Sequence, residues 1–131
     1  MKNTDPFARL DPAEIEVIAS QKGFGRRGQR NWIRRTPDFV QLVNLQHSQW
    51  DAQTRYLNFA MWALALGKPP SIAESKFHFR TRAESLGARD LPDLFRIADG
   101  LQTLADLRIA LQKKRVSGLC LRRLQELLAD R

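Results

Sequence analysis

The sequence contains a single cysteine, Cys120, among its 131 residues. One cysteine cannot form an intrachain disulfide, so stability has to come from a hydrophobic core, as is usual in a reducing cytoplasm. The longest apolar run, residues 57–66, is about half of the ~20 residues that a membrane-spanning helix requires. The first residues also lack the apolar stretch of a signal peptide. These absences predict a cytoplasmic protein with no membrane partner.

Recognised catalytic and metal-binding patterns are absent as well. There is no GxSxG, HExxH, CxxC or P-loop sequence, and the only histidines are His47 and His78. The spacing Gly23-x-Gly25-x-x-Gly28 follows a predicted helix and precedes a strand, the reverse of a dinucleotide-binding site. We therefore expect no catalytic residue, no metal and no cofactor. An unrecognised hydrolase or nuclease that uses His47 or His78 as an acid or base stays open as a third hypothesis.

What the sequence does have is an excess of positive charge. It carries 22 Lys and Arg against 14 Asp and Glu, a formal net charge of +8, and 16 of the 22 are Arg. Arginine favours bidentate contacts with carboxylates and phosphates, so an acidic protein or a nucleic acid is the expected partner. With 43% hydrophobic residues, the chain can bury one core. We expect a single domain over residues 1–131, with residues 1–10 as a candidate flexible segment.

Local patterns predict one helix, a group of strands and then two helices. Asp11, Pro12 and Glu14 form a helix start with a capping arrangement, and Gly23 ends that helix. Strands are predicted at residues 31–35, 39–48, 55–64 and 76–82, with a doubtful short one at 93–98. Thr103 caps the next predicted helix, and the final one carries the leucines of residues 119–128 together with Cys120.

This order of elements defines the expected fold class. Short turns between successive strands imply antiparallel pairing. Strands grouped together, with helices at both ends, imply an α+β fold. We therefore predict an antiparallel sheet of 3–5 strands, with the N-terminal helix and two C-terminal helices packed on one face.

The first candidate site is a basic run. No Asp or Glu occurs between Glu16 and Asp38. The run contains Arg26, Arg27, Arg30, Arg34 and the aromatic residue Trp32. Arginines interleaved with aromatic residues hold phosphates and stack on bases, which favours nucleic-acid binding. The alternative is a solvated edge hairpin, whose charges prevent aggregation between strands.

The second candidate site is a polar sheet surface. Three predicted strands contribute the groups Asn44, Gln46 and Ser48; Asn58 with Tyr56 and Trp62; and His78, Arg80 and Arg82. If these faces coincide, the sheet carries a concave site for an anion or a peptide. The alternative is an ordinary solvent-facing surface, because antiparallel sheets commonly expose one side. A register slip of one residue would reverse the assignment of faces.

Several short sequences in this order carry a family resemblance. They are the first helix running into residues 22–24 (KGF), the aromatic strand at Trp32, the segment VNLQHS at 43–48, the pair Leu57-Asn58, the strand end at 80–82 (RTR) and the paired C-terminal helices. Over roughly residues 7–128, the chain resembles the family of domains of unknown function numbered 4304. The region after Gly87, rich in Asp and Arg, departs from that pattern. The resemblance implies an α+β domain and supplies no reaction, cofactor or catalytic residue.

Our leading hypothesis from the sequence is a non-catalytic domain that binds an acidic protein partner. The arginine-rich hairpin and the polar sheet face would form the contact surface, with Trp32 or Trp50 as an aromatic anchor. An immunity-like role, in which the domain neutralises a toxin, is one form of this hypothesis and rests on analogy. Binding of RNA or DNA is the alternative. The oligomeric state is undetermined, and a dimer through the leucine-rich C-terminal helices is left open.

Overall fold

The computed structural model describes residues 6–50, 53–69 and 76–129. The strands are Gly25–Arg27 (β1), Asn31–Arg35 (β2), Phe39–His47 (β3), Arg55–Ala63 (β4), Phe79–Arg82 (β5) and Leu119–Cys120 (β6). The helices are Pro12–Gln21 (α1), Ala83–Leu86 (α2), Leu91–Asp99 (α3), Leu104–Gln112 (α4) and Arg122–Ala129 (α5). A short 3-10 helix, Leu64–Leu66, follows β4. Within the described residues, no helix is long and apolar enough to cross a membrane.

The six strands form one antiparallel sheet in which each strand pairs with its neighbours in the sequence, from β1 to β6. The α+β class with an antiparallel sheet is therefore confirmed. The predicted number of strands, 3–5, is too low because both edge strands are very short. β1 has three residues and β6 has two, which is too few for a hydrophobic alternation to be visible in the sequence.

Two helix starts were readable from the sequence and are confirmed. The Asp11 carboxylate accepts the Ala13 N–H, and Glu14 accepts the Asp11 N–H, which makes a capping box. Thr103 and Asp106 make the equivalent box at the start of α4. Each box satisfies N–H groups that the first turn of a helix leaves without an intrahelical acceptor.

Two predicted elements are wrong. Residues 93–98 belong to α3, because Asp90 accepts the Asp93 N–H at 2.9 Å and Pro92 lies in the first turn. This cap and proline favour a helix, and the buried residues Leu94, Phe95 and Ala98 have helical spacing. Cys120 lies in β6 rather than in the last helix, which starts only at Arg122.

The main hydrophobic cluster combines one face of the sheet with residues of all five helices. Its sheet members are Trp32, Phe39, Val43, Leu45, Leu57, Phe59, Met61, Ala63 and Phe79. Phe7 and Leu10 are buried in the same cluster. The proposed flexible segment 1–10 is thus packed at these two residues, while residues 1–5 lie outside the described part. A second, smaller cluster on the opposite face consists of Leu42, Ala60, Trp62 and Phe77.

The main core also contains a polar network. Gln41 is fully buried, and its amide donates to the carbonyls of Ala98 at 2.9 Å and Leu101 at 3.1 Å. Its oxygen accepts from the guanidinium of Arg34, which also pairs with Asp99 at 2.8 Å. Burial raises the pKa of Asp99, but hydrogen bonds from Arg34 and Lys22 outweigh it and leave that pKa below the usual value. The network fastens the end of α3 to β2 and β3.

Gly118 provides a test of the packing at the β6 edge. A Cβ at this position would lie 2.8 Å from Phe79 Cζ and 2.9 Å from Thr81 Cβ. Since Phe79 is completely buried, we expect Gly118→Ala to lower the free energy of unfolding by about 1–3 kcal/mol in denaturant titrations. The matched control is Gly25→Ala, whose added Cβ meets no atom within 4 Å. Equal stabilities of the two variants would contradict the described packing.

Candidate functional site on the open sheet face

A row of five polar residues crosses the sheet on the face opposite the main core. The register pairs Arg27 with Asn31, Asn31 with Asn44, Asn44 with Asn58, and Asn58 with Arg82. Directly paired residues of antiparallel strands project from the same face. At a strand spacing of about 4.8 Å, the row spans roughly 19 Å from end to end. We refer to these five residues as the polar row.

Hydrogen bonds link the amides of the polar row in one direction. Asn58 donates to the side-chain oxygens of Asn44 and Gln46, both at 3.0 Å. Asn44 in turn donates to the oxygen of Asn31 at 2.8 Å. The acceptor oxygens of Asn31, Asn44 and Gln46 are therefore engaged. The amino groups of Asn31 and Gln46 donate to none of the described residues, so this face offers an excess of hydrogen-bond donors.

Both ends of the polar row are positively charged. Arg27 is exposed at the edge strand, and Arg82 is exposed on β5. The guanidinium of Arg82 lies over the Tyr56 ring, 3.9 Å from its centroid, in a cation–π contact. The residues of β1–β5 that project from this face include no Asp or Glu, by the observed register. The face therefore attracts anions.

A cavity of about 230 Å³ lies at the Arg82 end of the polar row. It is lined by Gln46, His47, Ser48, Gln49, Trp50, Tyr56 and Arg82. Trp50 has 87% of its surface exposed, which is unusual for a large aromatic residue. The Trp50 N–H donates to the Ser48 hydroxyl at 3.1 Å, which shapes the turn that carries the indole. The cavity is thus lined by amide, hydroxyl, aromatic and guanidinium groups.

The basic hairpin is only partly available for binding. Arg26, Arg27 and Arg30 are exposed, and Arg26 is held by a hydrogen bond to the Gln29 carbonyl and by contact with the Trp32 ring. Trp32 is fully buried, and its Nε1 donates to Glu16 at 2.7 Å. Its burial excludes the predicted role of an exposed anchor. Arg34 points into the core network and belongs to the fold rather than to the surface.

His78 and Arg80 do not join the polar row. Arg80 pairs with Ala60, so it lies on the same face but beside the small apolar cluster. The buried ring of His78 contacts Trp62, with ring centroids 4.1 Å apart, and accepts the Ala63 N–H at 3.0 Å. These contacts are those of a residue that stabilises the core. The prediction that His78, Arg80 and Arg82 share one open site is therefore wrong, because His78 is buried.

The two histidines also lie too far apart to act together. His47 is paired with Arg55 at the start of β4, whereas His78 bonds Ala63 at its end. At about 3.4 Å per residue, these ends are roughly 27 Å apart. Among the described residues, no group of three or more His, Cys, Asp or Glu side chains is placed to hold a metal ion. A pair of convergent histidines is thus excluded as a catalytic arrangement.

Sequence reasoning brought together Asn44, Gln46, Asn58 and Arg82, and the structure places them side by side. It placed Ser48 on the same face, and this residue lines the cavity just beyond the end of β3. It missed Asn31, which sits in a short strand dominated by arginine and tryptophan. The signal that would have found Asn31 is its even spacing from Ile33 and Arg35, the residues that alternate with Trp32 and Arg34.

Comparisons with known proteins identify a family but no function. A family model described as "Domain of unknown function (DUF4304)" matches residues 16–116. The match includes β1–β5 and therefore the whole polar row. No curated protein and no solved structure matches the chain.

The burial of His78 predicts that the free energy of unfolding depends on pH. Burial, followed by the nearby charge of Arg123, lowers the pKa of His78 below 6.5. Because the unfolded chain takes up a proton near 6.5 before the folded chain does, the free energy of unfolding should fall as the pH drops from 7.5 through this value. The slope from one proton is at most about 1.4 kcal/mol per pH unit. Denaturant titrations of His78→Asn, which keeps an acceptor for the Ala63 N–H, should show a smaller fall. An unchanged slope would contradict this account.

Proposed function

The chain belongs to the DUF4304 family by the match over residues 16–116, and we propose that it is a non-catalytic domain that binds an acidic protein partner. The polar row is the observation that carries the proposal. It places Arg27 and Arg82 at the two ends of a set of linked amides, on a face whose residues in β1–β5 include no carboxylate. Such a surface is complementary to a partner surface rich in Asp and Glu.

The direction of the amide hydrogen bonds supports an anionic partner. Because the oxygens of Asn31 and Gln46 accept from neighbouring amides, their amino groups are the parts left for a ligand. An amino group donates to a carboxylate, and it repels another amino group or a lysine. The hydrogen bonds within the sheet thus orient these amide groups before a partner binds. This preorganisation reduces the side-chain entropy that is lost on binding.

The aromatic residues favour a protein over a nucleic acid on this face. Base stacking requires accessible ring faces along the binding surface. One face of Tyr56 is covered by Arg82, and Trp32 is buried on the opposite side of the sheet. Trp50 is the one exposed ring among these three, which is too few for a stacking surface. Trp, Tyr and Arg are instead the residue types that contribute most to the affinity of protein interfaces.

A toxin-neutralising role is the specific form of protein binding that we propose. The net charge of +8 would speed the encounter with an acidic toxin by long-range attraction. A cytoplasmic protein of this kind would need no catalytic group and no cofactor. It would act by covering the functional surface of its partner.

The first test is affinity capture with variants matched in charge. Arg35 alternates with Asn31 along β2 and therefore projects from the same face. The face variant combines Arg27→Gln, Arg35→Gln and Arg82→Gln, while the control combines Arg9→Gln, Lys113→Gln and Arg115→Gln away from this face. All six positions are exposed, so both variants lose three charges and should stay folded. After nuclease treatment of a lysate of the source cells, we expect an acidic protein to be retained by the wild type and the control but lost from the face variant. Binding of the identified protein should weaken by at least about tenfold in the face variant.

Equal capture by the face variant and the control would contradict this proposal. Loss of the captured protein from the wild type after nuclease treatment would also contradict it, because nucleic acid would then be the direct ligand. The oligomeric state of the captured complex would show in addition whether the domain acts as a monomer or a dimer.

Nucleic-acid binding through the β1–β2 hairpin is the second candidate. The observation in its favour is that Arg26, Arg27 and Arg30 are exposed around a tight turn in which Gly28 has a φ of +66°. Positive φ at this glycine lets the backbone reverse within three residues and brings the arginines together. Three guanidinium groups at one end of the sheet form an electrostatic contact for phosphates.

A salt titration tests this second candidate. If the hairpin binds RNA or DNA, fluorescence anisotropy with a mixed oligonucleotide pool should show tight binding at physiological salt. The triple variant Arg26→Gln, Arg27→Gln and Arg30→Gln should then reduce the affinity by about tenfold or more and make the salt dependence shallower. Binding at low salt alone, weakened equally in the hairpin variant and in the Arg9, Lys113 and Arg115 control, would show an effect of net charge only and eliminate this candidate.

A further inference from the structure

We propose that the cavity at the Arg82 end of the polar row receives the carboxylate of a single Asp or Glu side chain from the protein partner. This inference rests on the proposed function and names the contact that anchors the partner. The observation behind it is that the cavity joins a fixed guanidinium, an outward amide and an exposed indole in about 230 Å³.

The guanidinium of Arg82 is held in place. Its Cζ lies over the Tyr56 ring, 3.9 Å from the ring centroid, so the part of the guanidinium away from the ring is left for a ligand. The guanidinium N–H groups of Arg82 donate to none of the described residues. A planar edge with parallel N–H groups matches the two oxygens of a carboxylate.

Gln46 supplies a second donor beside Arg82. It is paired with Tyr56 across β3 and β4, and its oxygen is occupied by the Asn58 amino group at 3.0 Å. This bond fixes the orientation of the Gln46 amide and turns its own amino group away from the network. A carboxylate in the cavity would thus meet a charged donor from Arg82 and a neutral donor from Gln46.

The charge of the cavity favours a carboxylate over a phosphate group. Among the described residues that line it, Arg82 is the one lysine or arginine, and none is Asp or Glu. One guanidinium balances one negative charge. A phosphorylated side chain carries −1.5 to −2 charges at neutral pH and would leave part of that charge without a counterion.

Trp50 explains why the ligand should be a side chain rather than a free ion. Its indole is 87% exposed, and the turn that carries it is closed by the hydrogen bond to Ser48. The methylene groups of an acidic side chain, or the residue next to it in the partner, would pack on this ring. Large exposed aromatic residues at the edge of a polar pocket are frequent anchors of protein interfaces.

NMR titration of the full chain tests this assignment. The probe is N-acetyl-glutamate amide, with its glutamine counterpart as the uncharged control and inorganic phosphate as the alternative anion, all at constant ionic strength. We expect saturable shifts of the Trp50 indole, the Gln46 amino group and the Arg82 Nε signal with the glutamate probe. Arg82→Gln should weaken this binding by about tenfold or more, while Arg115→Gln, an exposed position away from this face, should leave it unchanged.

Three results would overturn the inference. They are equal shifts with the glutamine probe, unchanged binding in Arg82→Gln, or tighter binding of inorganic phosphate at the same signals. The outcome is separable from that of the proposed function. The cavity could fail to bind the glutamate probe while the face variant still fails to capture the acidic partner. In that case the partner binds elsewhere on the face, and only this inference fails.

Discussion

The register between β3 and β4 is the constraint on which the rest of the structure depends. Polar groups on both faces of the sheet hold it in place. On the helix side, Gln41 is buried and bonded to two carbonyls at the end of α3, and on the other side Asn58 bonds Asn44 and Gln46. A slip of β3 by one residue would move Asn44 and Gln46 to the side of the apolar core and turn Gln41 out of its network. Each unsatisfied buried amide would cost about 1–3 kcal/mol, so the alternative registers are strongly disfavoured.

This register also separates the two roles of the arginines. Arg34 projects towards the helices, where Gln41 and Asp99 satisfy it, and it stabilises the fold. Arg27 and Arg82 project to the other side, where no carboxylate on the strands opposes them. Composition alone treats all of these residues as positive charge. Their side of the sheet decides whether the charge is neutralised within the chain or left for a partner.

The sequence allowed much of the secondary structure to be predicted, because the controlling interactions are local. The caps at Asp11 and Thr103 are short-range hydrogen bonds, and the alternation in β3 and β4 follows from one buried face. The strand predicted over residues 93–98 is wrong because the Asp90 cap and Pro92 in the first turn start a helix there. The site was predictable only in part. Asn31 and Asn58 are 27 residues apart, and only the register of three strands shows that they belong to one row.

The central claim is that the open face of the sheet, rather than the helical side, contacts the partner. Cross-saturation NMR on the complex with the captured partner tests it most directly, since saturation passes only between groups in contact. The account predicts the strongest loss of signal at Arg27, Asn31, Gln46, Trp50 and Arg82. Loss confined to α3 and α4, with these five residues unaffected, would contradict it.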